Sequence, residues 1–248
     1  MQPRRMTVSK PESTPAEPTP SEFWEGRYDE AGGGPIWSGK VNRTLAEVVS
    51  GLQPGTALDL GCGEGGDAIW LAGQGWDVTG IDISATAIRR AAEAARNADV
   101  DADRIRFIAD DLATWQGDGS YDLVTASFLH SPVDFPRAQV LRCAAGLVAP
   151  GGHLFILSHA DFPPTASDHD RHSWEEHADH EDHRFLSPSE EIEALELDPD
   201  AWTVRLAETR ERDATLSDGR QATLTDVVVL LRREENAPQG LSSRRERG

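Results

Sequence analysis

The fold class is decided by the stretch ALDLGCGEGG at residues 57–66. The apolar run 56–60 predicts a short buried strand that leads into the glycines, and residues 67–72 after them favour a helix. Glycines at such a junction let the main chain turn sharply, and they let a ligand approach the backbone without meeting a Cβ atom. The stretch therefore predicts a strand, a ligand-binding loop and a helix in immediate succession.

Two cofactor patterns fit this glycine loop. Gly61, Gly63 and Gly66 match the dinucleotide pattern G-x-G-x-x-G. Asp59 followed by Gly61, Gly63 and Gly65 matches the acidic-x-G-x-G-x-G pattern of enzymes that use S-adenosylmethionine. The loop by itself leaves the choice between the two cofactors open.

Short apolar runs alternate with helical stretches along most of the chain. The strand candidates are 56–60, 76–81, 104–109, 121–126 and 153–158. Each is short and rich in Val, Ile and Leu, and several are close to continuously apolar, as expected of strands that are buried on both faces. Between the second and third runs, the stretch 84–97 has Ser84 at its N-cap position and an apolar stripe at helical spacing. The alternation predicts an α/β fold with a doubly wound, Rossmann-like parallel sheet.

The end of the chain departs from this alternation. Ser187-Pro188-Ser189-Glu190 is a capping box that begins a helix through about Leu197. Two strands follow, 202–210 and 224–232, with Asp218-Gly219 as a turn between them. Because strands joined by a hairpin pair antiparallel, we expect a seven-stranded sheet, mostly parallel, with an antiparallel C-terminal edge hairpin.

Acidic residues close three consecutive strands and favour one of the two cofactors. Asp59, Asp82 and the pair Asp110-Asp111 stand at strand ends, where open α/β sheets bind ligands. Their charge suits a ligand with a sulfonium and an ammonium group, whereas it repels a pyrophosphate. The whole chain has 43 acidic and 24 basic residues and a net charge of −19, which also disfavours nucleic acid and anionic membranes as partners.

Composition divides the chain into one domain and two tails. Residues 1–20, which include five prolines, and residues 234–248 have few apolar side chains, and we expect both to be disordered. The domain, 21–233, then contains an N-terminal cap, 21–52, and a His/Asp/Glu-rich insertion, 159–186. No apolar run is long enough to span a bilayer or to form a signal-peptide core, which predicts a cytoplasmic protein.

Five motifs in order resemble those of class I S-adenosylmethionine-dependent methyltransferases. They are ALDLGCGEGG at 57–66, GIDIS at 80–84, IADDL at 108–112, YDLVTASFLH at 121–130 and LVAPGGHLFILS at 147–158. The terminal hairpin also fits, because the seventh strand of that family runs antiparallel beside the sixth. The resemblance covers about residues 22–233 and implies S-adenosyl-L-methionine as the cofactor.

The resemblance also implies how the first two motifs hold the cofactor. Gly61, Gly63 and Gly65 would contact its methionine moiety. Asp82 would accept hydrogen bonds from the ribose hydroxyls, and Asp59 would order the loop more than it contacts the ligand.

The remaining motifs imply contacts to the adenine and to the ammonium group. Ile83 would pack on the adenine face, and Asp110 would accept from the adenine amino group. The backbone of Asp111 and Leu112 would lie beside the ring. Ser127, at the end of the fourth strand, would offer its carbonyl to the ammonium group.

The segment before the first motif narrows the resemblance. FWEGRY at 23–28 and PIW at 35–37 resemble the cap of thiopurine- and tellurite-resistance-type methyltransferases, which act on small thiols, metalloids and related xenobiotics. In a functional interpretation, Trp24 and Trp37 form a wall for the sulfonium and Arg27 lies near the methionine carboxylate. In a purely structural interpretation, both tryptophans pack a helix onto the sheet.

Histidines are the candidates for chemistry on the methyl acceptor. His130 follows the fourth strand, where this fold places residues that face the acceptor, and it is either a base, an orienting donor or a loop residue without a chemical role. Six of the eight histidines lie in 159–183 among eight Asp or Glu, and their spacing of three on a helix is compatible with a metal. A lid or solvated loop is favoured over a metal site, so no metal ligand is predicted.

The sequence therefore predicts transfer of a methyl group from S-adenosyl-L-methionine to a small-molecule acceptor. A thiol, a metalloid or a xenobiotic is the expected acceptor class, and the sequence gives no oligomeric state. The alternatives are an NAD-dependent oxidoreductase, because of the G-x-G-x-x-G match, and a catalytically silent protein that binds the cofactor without turnover.

Overall fold

A seven-stranded sheet is the centre of the protein, as seen in a computed structural model that describes residues 18–32, 34–161, 185–215 and 220–235. The strands are β1 Thr56–Leu60, β2 Asp77–Asp82, β3 Ile105–Ala109, β4 Tyr121–Ser127, β5 Val148–His159, β6 Trp202–Thr215 and β7 Gln221–Arg233. Their order in the sheet is β3-β2-β1-β4-β5-β7-β6. Strands β1 to β5 are parallel, whereas β7 pairs antiparallel with both β5 and β6. The predicted fold class is confirmed.

The helices of the described residues precede or connect the strands, and two of them begin at predicted caps. They are α1 Pro20–Glu30, α2 Arg43–Val49, α3 Gly66–Gly73, α4 Ala85–Asn97, α5 Arg137–Gly146 and α6 Pro188–Ala194. The Ser84 hydroxyl accepts the N–H of Ala87 at the start of α4, and Ser187 and Glu190 form the capping box of α6. Helix α6 ends before the predicted Leu197, since Glu196 adopts a positive φ of 50°.

Apolar side chains bury both faces of the sheet, as the continuous apolar runs indicated. On one face, α2 and α3 contribute Leu45, Val49 and Leu71 to a core with the strands. On the other face, Leu141 of α5 and Leu195, next to α6, complete a second core. Two covered faces leave the strand ends as the place where the sheet is open to a ligand.

The β6–β7 hairpin is longer than the sequence predicted. Pairing between β5 and β7 ends where His159 meets Asp226, whereas β6 and β7 stay paired as far as Thr215 and Gln221. The hairpin therefore projects beyond the carboxyl ends of the parallel strands and stands beside the ligand edge.

Several predicted features concern residues that the structure does not describe. The turn at Asp218-Gly219, most of the insertion 159–186, and nearly all of both tails lie outside the described residues. Helix α1 begins at Pro20 with Thr19 as its N-cap, one residue before the predicted domain boundary. The domain limits remain predictions. Among the described residues, no helix is both long and apolar enough to cross a membrane.

Candidate functional site

A cavity of about 1530 Å³ opens at the carboxyl ends of the parallel strands. The glycine loop, the cap, the loop after β4 and the projecting hairpin contribute to its wall. The predicted site residues that line it are Trp24, Arg27, Trp37, Asp59, Gly61, Gly63, Asp82, Ile83, Asp111, Leu112, Ser127 and His130. Gly65 and Asp110 are not in this lining. The fold therefore brings nearly all of the predicted residues into one site.

Two positions of the glycine loop require glycine, because their backbone conformation is left-handed and because neighbouring side chains leave little space for a Cβ atom. Gly61 and Gly63 have φ values of 65° and 53°, which side-chain-bearing residues rarely adopt. A Cβ on Gly61 would lie 2.6 Å from Leu129 Cδ1, and one on Gly63 would lie 3.2 Å from the Tyr28 hydroxyl. Gly65 also has a positive φ, but its Cβ position faces Ala91 and other packed side chains. We therefore assign Gly65 to the turn into α3 and not to the cavity wall.

Asp82 ties the glycine loop to the following helix. Its Oδ2 accepts the N–H of Gly63 at 2.9 Å, and its Oδ1 accepts the N–H of Ser84 at 2.9 Å. Burial raises the pKa of this carboxyl above its usual range. Each carboxylate oxygen can accept more than one hydrogen bond, so Asp82 keeps acceptor capacity for a ligand in the cavity.

Asp59 forms a second acidic centre together with a residue that the sequence analysis missed. Asp59 is buried; its Oδ1 accepts from the Thr125 hydroxyl at 2.7 Å, and its Oδ2 has no hydrogen-bond partner among the described residues. Asp67, at the start of α3, accepts the N–H of Asn42 at 2.6 Å. Burial, and then repulsion from Asp67, raise the pKa of Asp59, and burial raises the pKa of Asp67. An orphaned oxygen in this acidic group suits a cationic ligand.

The two aspartates at the end of the third strand lie in different environments. Asp110 is exposed, and its Oδ1 accepts the N–H of Asp111 at 2.8 Å. Asp111 and Leu112 line the cavity together with Ile83. The structure thus places the predicted adenine-side residues together, apart from the side chain of Asp110.

The cap covers the glycine loop with aromatic side chains. Trp37 Nε1 donates to the Tyr28 hydroxyl at 3.0 Å, and Trp24 Nε1 donates to Ser131 Oγ at 3.3 Å. Tyr28 is 2% exposed, whereas Trp37 is 51% exposed at the cavity. Burial raises the pKa of Tyr28 far above its usual range, so this hydroxyl keeps its proton. The packed ring of the cap is therefore Tyr28, a role that the sequence analysis did not give it.

Glu64 and Arg90 hold the cap in place through main-chain contacts. Glu64 Oε2 accepts the N–H groups of Ile36 and Trp37 at 3.0 and 3.1 Å. Arg90 Nη1 lies 2.9 Å from Glu64 Oε1, and this guanidinium also donates to the carbonyl of Tyr28. Nothing in the local sequence signals this pair, because Glu64 occupies a variable position of the glycine pattern.

Aromatic rings and imidazoles form the other end of the cavity. The ring of Phe128 stacks on that of His159, with centroids 4.3 Å apart. His130 lies beside them, with its ring centroid 6.1 Å from that of His159 and 6.5 Å from that of Phe185. His159 entered the sequence analysis only as the first histidine of the insertion. Its position at the end of the fifth strand is the signal that could have identified it.

No group of three or more His, Cys, Asp or Glu side chains is arranged to hold a metal within the described ranges. The other histidines of the insertion lie at 169–183, in the part of the chain that the structure leaves undescribed. The expectation that this segment binds no metal therefore remains a prediction from the sequence.

A family model for a methyltransferase domain matches residues 34–196. This range includes all five motifs and more than half of the chain. The chain belongs to this methyltransferase family, and the resemblance predicted from the motifs is confirmed.

Two curated relatives match less than half of the chain. Ubiquinone biosynthesis O-methyltransferase of Cronobacter sakazakii is 36% identical over 112 residues, which are 45% of this chain and 45% of that protein. The 27-O-demethylrifamycin SV methyltransferase of Amycolatopsis mediterranei is 40% identical over 120 residues, which are 45% of this chain and 43% of that protein. The match thus spans less than half the length of these relatives.

Solved structures share the fold across most of the chain. A protein studied for the conversion of a disulfide bond into a thioacetal group during echinomycin biosynthesis has a TM-score of 0.64 and 24% identity, covering 88% of this chain and 93% of that one. TehB from Haemophilus influenzae has a TM-score of 0.59 and 16% identity, covering 78% of this chain and 62% of that one. At these identities the likeness concerns the fold alone.

Proposed function

We propose that this protein transfers a methyl group from S-adenosylmethionine to a hydroxyl oxygen of an aromatic small molecule. The observation that carries the proposal is that one cavity has both an acidic, glycine-rich part and a part walled by aromatic rings and two imidazoles. The family match and the two O-methylating relatives agree with it.

The acidic end has the chemistry that the cofactor requires. S-adenosylmethionine supplies an electrophilic methyl group on a positively charged sulfur. A cation bound beside Asp59 and Asp67 stabilises the ionised forms of these two carboxyls, which burial disfavours in the ligand-free protein, and the rings of Trp24 and Trp37 offer faces that attract a cation. These are the same tryptophans that the purely structural interpretation assigned to packing.

The polar ends of the cofactor would be held by residues of three strand ends and of the cap. Asp82 would accept the ribose hydroxyls, and Ile83 and Leu112 would pack against the adenine. Gly61 and Gly63 would let the methionine moiety approach the main chain. Two further residues would bind the charged groups of the methionine moiety. Arg27 would pair with its carboxylate, and the Ser127 carbonyl would accept a hydrogen bond from its ammonium group.

The aromatic end favours a flat, ring-containing acceptor. Phe128 and Phe185 lie there with His130 and His159, and Phe135 also lines the cavity. Stacking and edge contacts with such rings stabilise an aromatic ligand and hold it in one orientation. Orientation is the main contribution of a protein to an in-line displacement, together with the exclusion of water.

The two imidazoles favour oxygen over sulfur as the methylated atom. A hydroxyl is a weak nucleophile and gains from a base that removes its proton, whereas a thiolate or a metalloid needs none. Thiols and metalloids, the acceptors that the cap resemblance implies, are therefore the comparison compounds for this proposal. The nicotinamide alternative is disfavoured by the family match and by the acidic residues that would face a pyrophosphate.

The test combines cofactor binding with an acceptor screen. We expect calorimetric titration to detect binding of S-adenosylhomocysteine and none of NAD. We expect mass spectrometry to detect products heavier by one CH₂ unit from phenols and catechols and fewer from a thiol, selenite or tellurite. Binding of NAD alone would overturn the cofactor, and cofactor binding without any methylated product would favour the silent binding protein. Methylation of the thiol or metalloids alone would overturn the choice of oxygen.

A further inference from the structure

His159 and Asp226 face each other across two antiparallel strands at the aromatic end of the cavity. We infer that they form a general-base dyad that removes the proton from the acceptor hydroxyl. This inference rests on the proposed function and assigns its base to a residue other than His130, the candidate from the sequence.

Strand register places the two side chains together. His159 is the last residue of β5, and Asp226 is its direct partner on β7. Directly opposed residues of an antiparallel pair have neighbouring side chains. His159 Nδ1 lies 3.6 Å from Asp226 Oδ1.

Asp226 has one oxygen committed to a cation and one directed to His159. Its side chain is fully buried, and its Oδ2 accepts from Arg212 Nε on β6. Its Oδ1 is buried without a hydrogen bond in the described part of the chain. A buried carboxylate oxygen without a hydrogen-bond donor lowers the stability of the fold. A small rotation of the His159 ring would bring an N–H on Nδ1 within hydrogen-bond distance of Asp226 Oδ1 and satisfy this oxygen.

The imidazole of His159 is held by its neighbours. Phe128 stacks on it with an interplanar angle of 21°, and the Arg212 guanidinium lies 5.3 Å from the Phe128 ring centroid. Phe128 has a φ of 52°, a strained conformation for an aromatic residue, and its N–H donates to the Leu157 carbonyl at 2.7 Å. Backbone strain of this kind concentrates at functional sites. Here the strained residue carries the ring on which the His159 imidazole stacks.

The arrangement leaves the right atom available. The Nδ1 edge faces a fully buried carboxylate, whereas the side chain as a whole is 33% exposed and lines the cavity, so Nε2 is the ring nitrogen left for a ligand. A proton on Nδ1 fixes the tautomer in which Nε2 has a free lone pair. His159 can therefore accept a proton from a ligand in the cavity.

The proton step balances within the site. The acceptor O–H bond breaks, its electron pair stays on oxygen, and the proton binds to the Nε2 lone pair. The imidazole becomes an imidazolium, which Asp226 stabilises, and the acceptor becomes an oxyanion nucleophile. The imidazolium later releases this proton to water.

His159→Gln tests the inference directly, with His153→Gln as its matched control. His153 lies on the same strand and outside the cavity lining. We expect His159→Gln to lower kcat for a hydroxyl acceptor by roughly 10²–10⁴-fold, with cofactor affinity within about twofold of the unsubstituted protein. The loss with a thiol acceptor should be much smaller. His153→Gln should change neither rate.

The pH profile separates a base from a residue that only shapes the cavity. The titratable and charged groups around His159 are Asp226 on β7, Arg212 on β6 and His130 after β4. We expect kcat/KM for the hydroxyl acceptor to rise with pH, because general-base catalysis requires the base in its unprotonated form, and we expect His159→Gln to abolish this rise. An unchanged profile in His159→Gln, or a loss confined to His130→Gln, would overturn the dyad.

Two readouts do not depend on methyl transfer. Nitrogen NMR should find the Nδ1–H tautomer of His159 in the ligand-free protein, and Asp226→Asn should redistribute it. Para-nitrophenol should bind as its phenolate, seen in its absorption, and His159→Gln should shift it to the phenol. The Nε2–H tautomer, or bound phenolate in His159→Gln, would contradict the dyad. Absence of any hydroxyl methylation by the unsubstituted protein would instead contradict the proposed function.

Discussion

Arg137 and Glu191, which are 54 residues apart in the chain, form a buried two-point ion pair. Arg137 Nη1 and Nη2 each lie 2.9 Å from a different oxygen of Glu191, and the side chains are 6% and 1% exposed. Arg137 also donates from Nε to the Leu129 carbonyl and from Nη2 to Ser158 Oγ, and these two residues directly precede His130 and His159 in the chain. One guanidinium thus fixes the loop after β4 to α6 and to the end of β5.

Removal of one partner of this pair should be costly. We expect Arg137→Met or Glu191→Gln to lower the free energy of unfolding by about 3–5 kcal/mol, because each leaves an uncompensated buried group. Urea unfolding measures the change. The double variant Arg137→Met/Glu191→Leu should recover much of the loss, whereas Arg104→Met, from an exposed pair with Asp77, should cost about 1 kcal/mol or less. Equal costs at both sites would contradict the role of burial.

The acidic group around Asp59 should make stability depend on pH. Burial and the neighbouring Asp67 raise the pKa of Asp59, so the folded protein keeps a proton that the unfolded chain releases. Stability is therefore present at low pH and is lost as pH rises from the usual aspartate range through the raised pKa. The gain in the free energy of unfolding from Asp59→Asn should be larger near pH 8 than near pH 5, by roughly 1–2 kcal/mol.

Thermal unfolding of the ligand-free protein across this range checks the Asp59 prediction. Asp77→Asn, at an exposed position of β2, is the matched control and should show no such pH dependence. A stabilisation that is the same at both pH values would speak against a shifted carboxyl.

The cap should loosen when Arg90 is replaced. Arg90→Met removes the ion pair with Glu64 and the donors to the carbonyls of Tyr28 and Gly34, and we expect a loss of about 3 kcal/mol and weaker cofactor binding. Glu64→Gln keeps an acceptor for the N–H groups of Ile36 and Trp37, so it should cost less. Urea unfolding followed by tryptophan fluorescence, with parallel calorimetry, measures both effects. Unchanged cofactor affinity in Arg90→Met would separate the cap from the cofactor site.

Two strand-end aspartates should differ in their effect on the cofactor. Asp82 lines the cavity, and we expect Asp82→Ala to weaken binding of S-adenosylhomocysteine by roughly 1.5–3 kcal/mol through lost charge-assisted hydrogen bonds. Asp110 is exposed and outside the lining, so Asp110→Ala should change affinity by about twofold or less. Calorimetric titration compares them. A loss in Asp110→Ala comparable to that in Asp82→Ala would show that the adenine is bound as the family resemblance implies and not as the cavity lining suggests.

The local sequence was sufficient for the strand ends and therefore for much of the site. Asp59, Asp82 and Asp111 come together because parallel strands place their carboxyl ends on one edge, whatever the length of the connections. The glycine loop was also predictable from local sequence, because Gly61 and Gly63 adopt conformations that glycine permits. Helix starts at Ser84 and Ser187 were predicted equally well, since capping depends on neighbouring residues.

Contacts between distant segments could not be predicted. Tyr28 and Glu64 have no pattern of their own, and they matter because the cap folds back onto the glycine loop. His159 and Asp226 became a pair only through the register of β5 with β7. Periodicity does not encode register between strands joined by a long connection.

The sequence by itself determined the order of strands and helices, the glycine loop and the acidic residues at three strand ends, because each depends on residues close together in the chain. The tertiary structure decided which side chains share the cavity. Gly65 and Asp110 do not line the cavity, whereas Asp67 and His159 do, and Asp226 pairs with His159 across the sheet. Burial, charge interaction and strand register act between residues that only the folded chain brings within a few ångströms of one another.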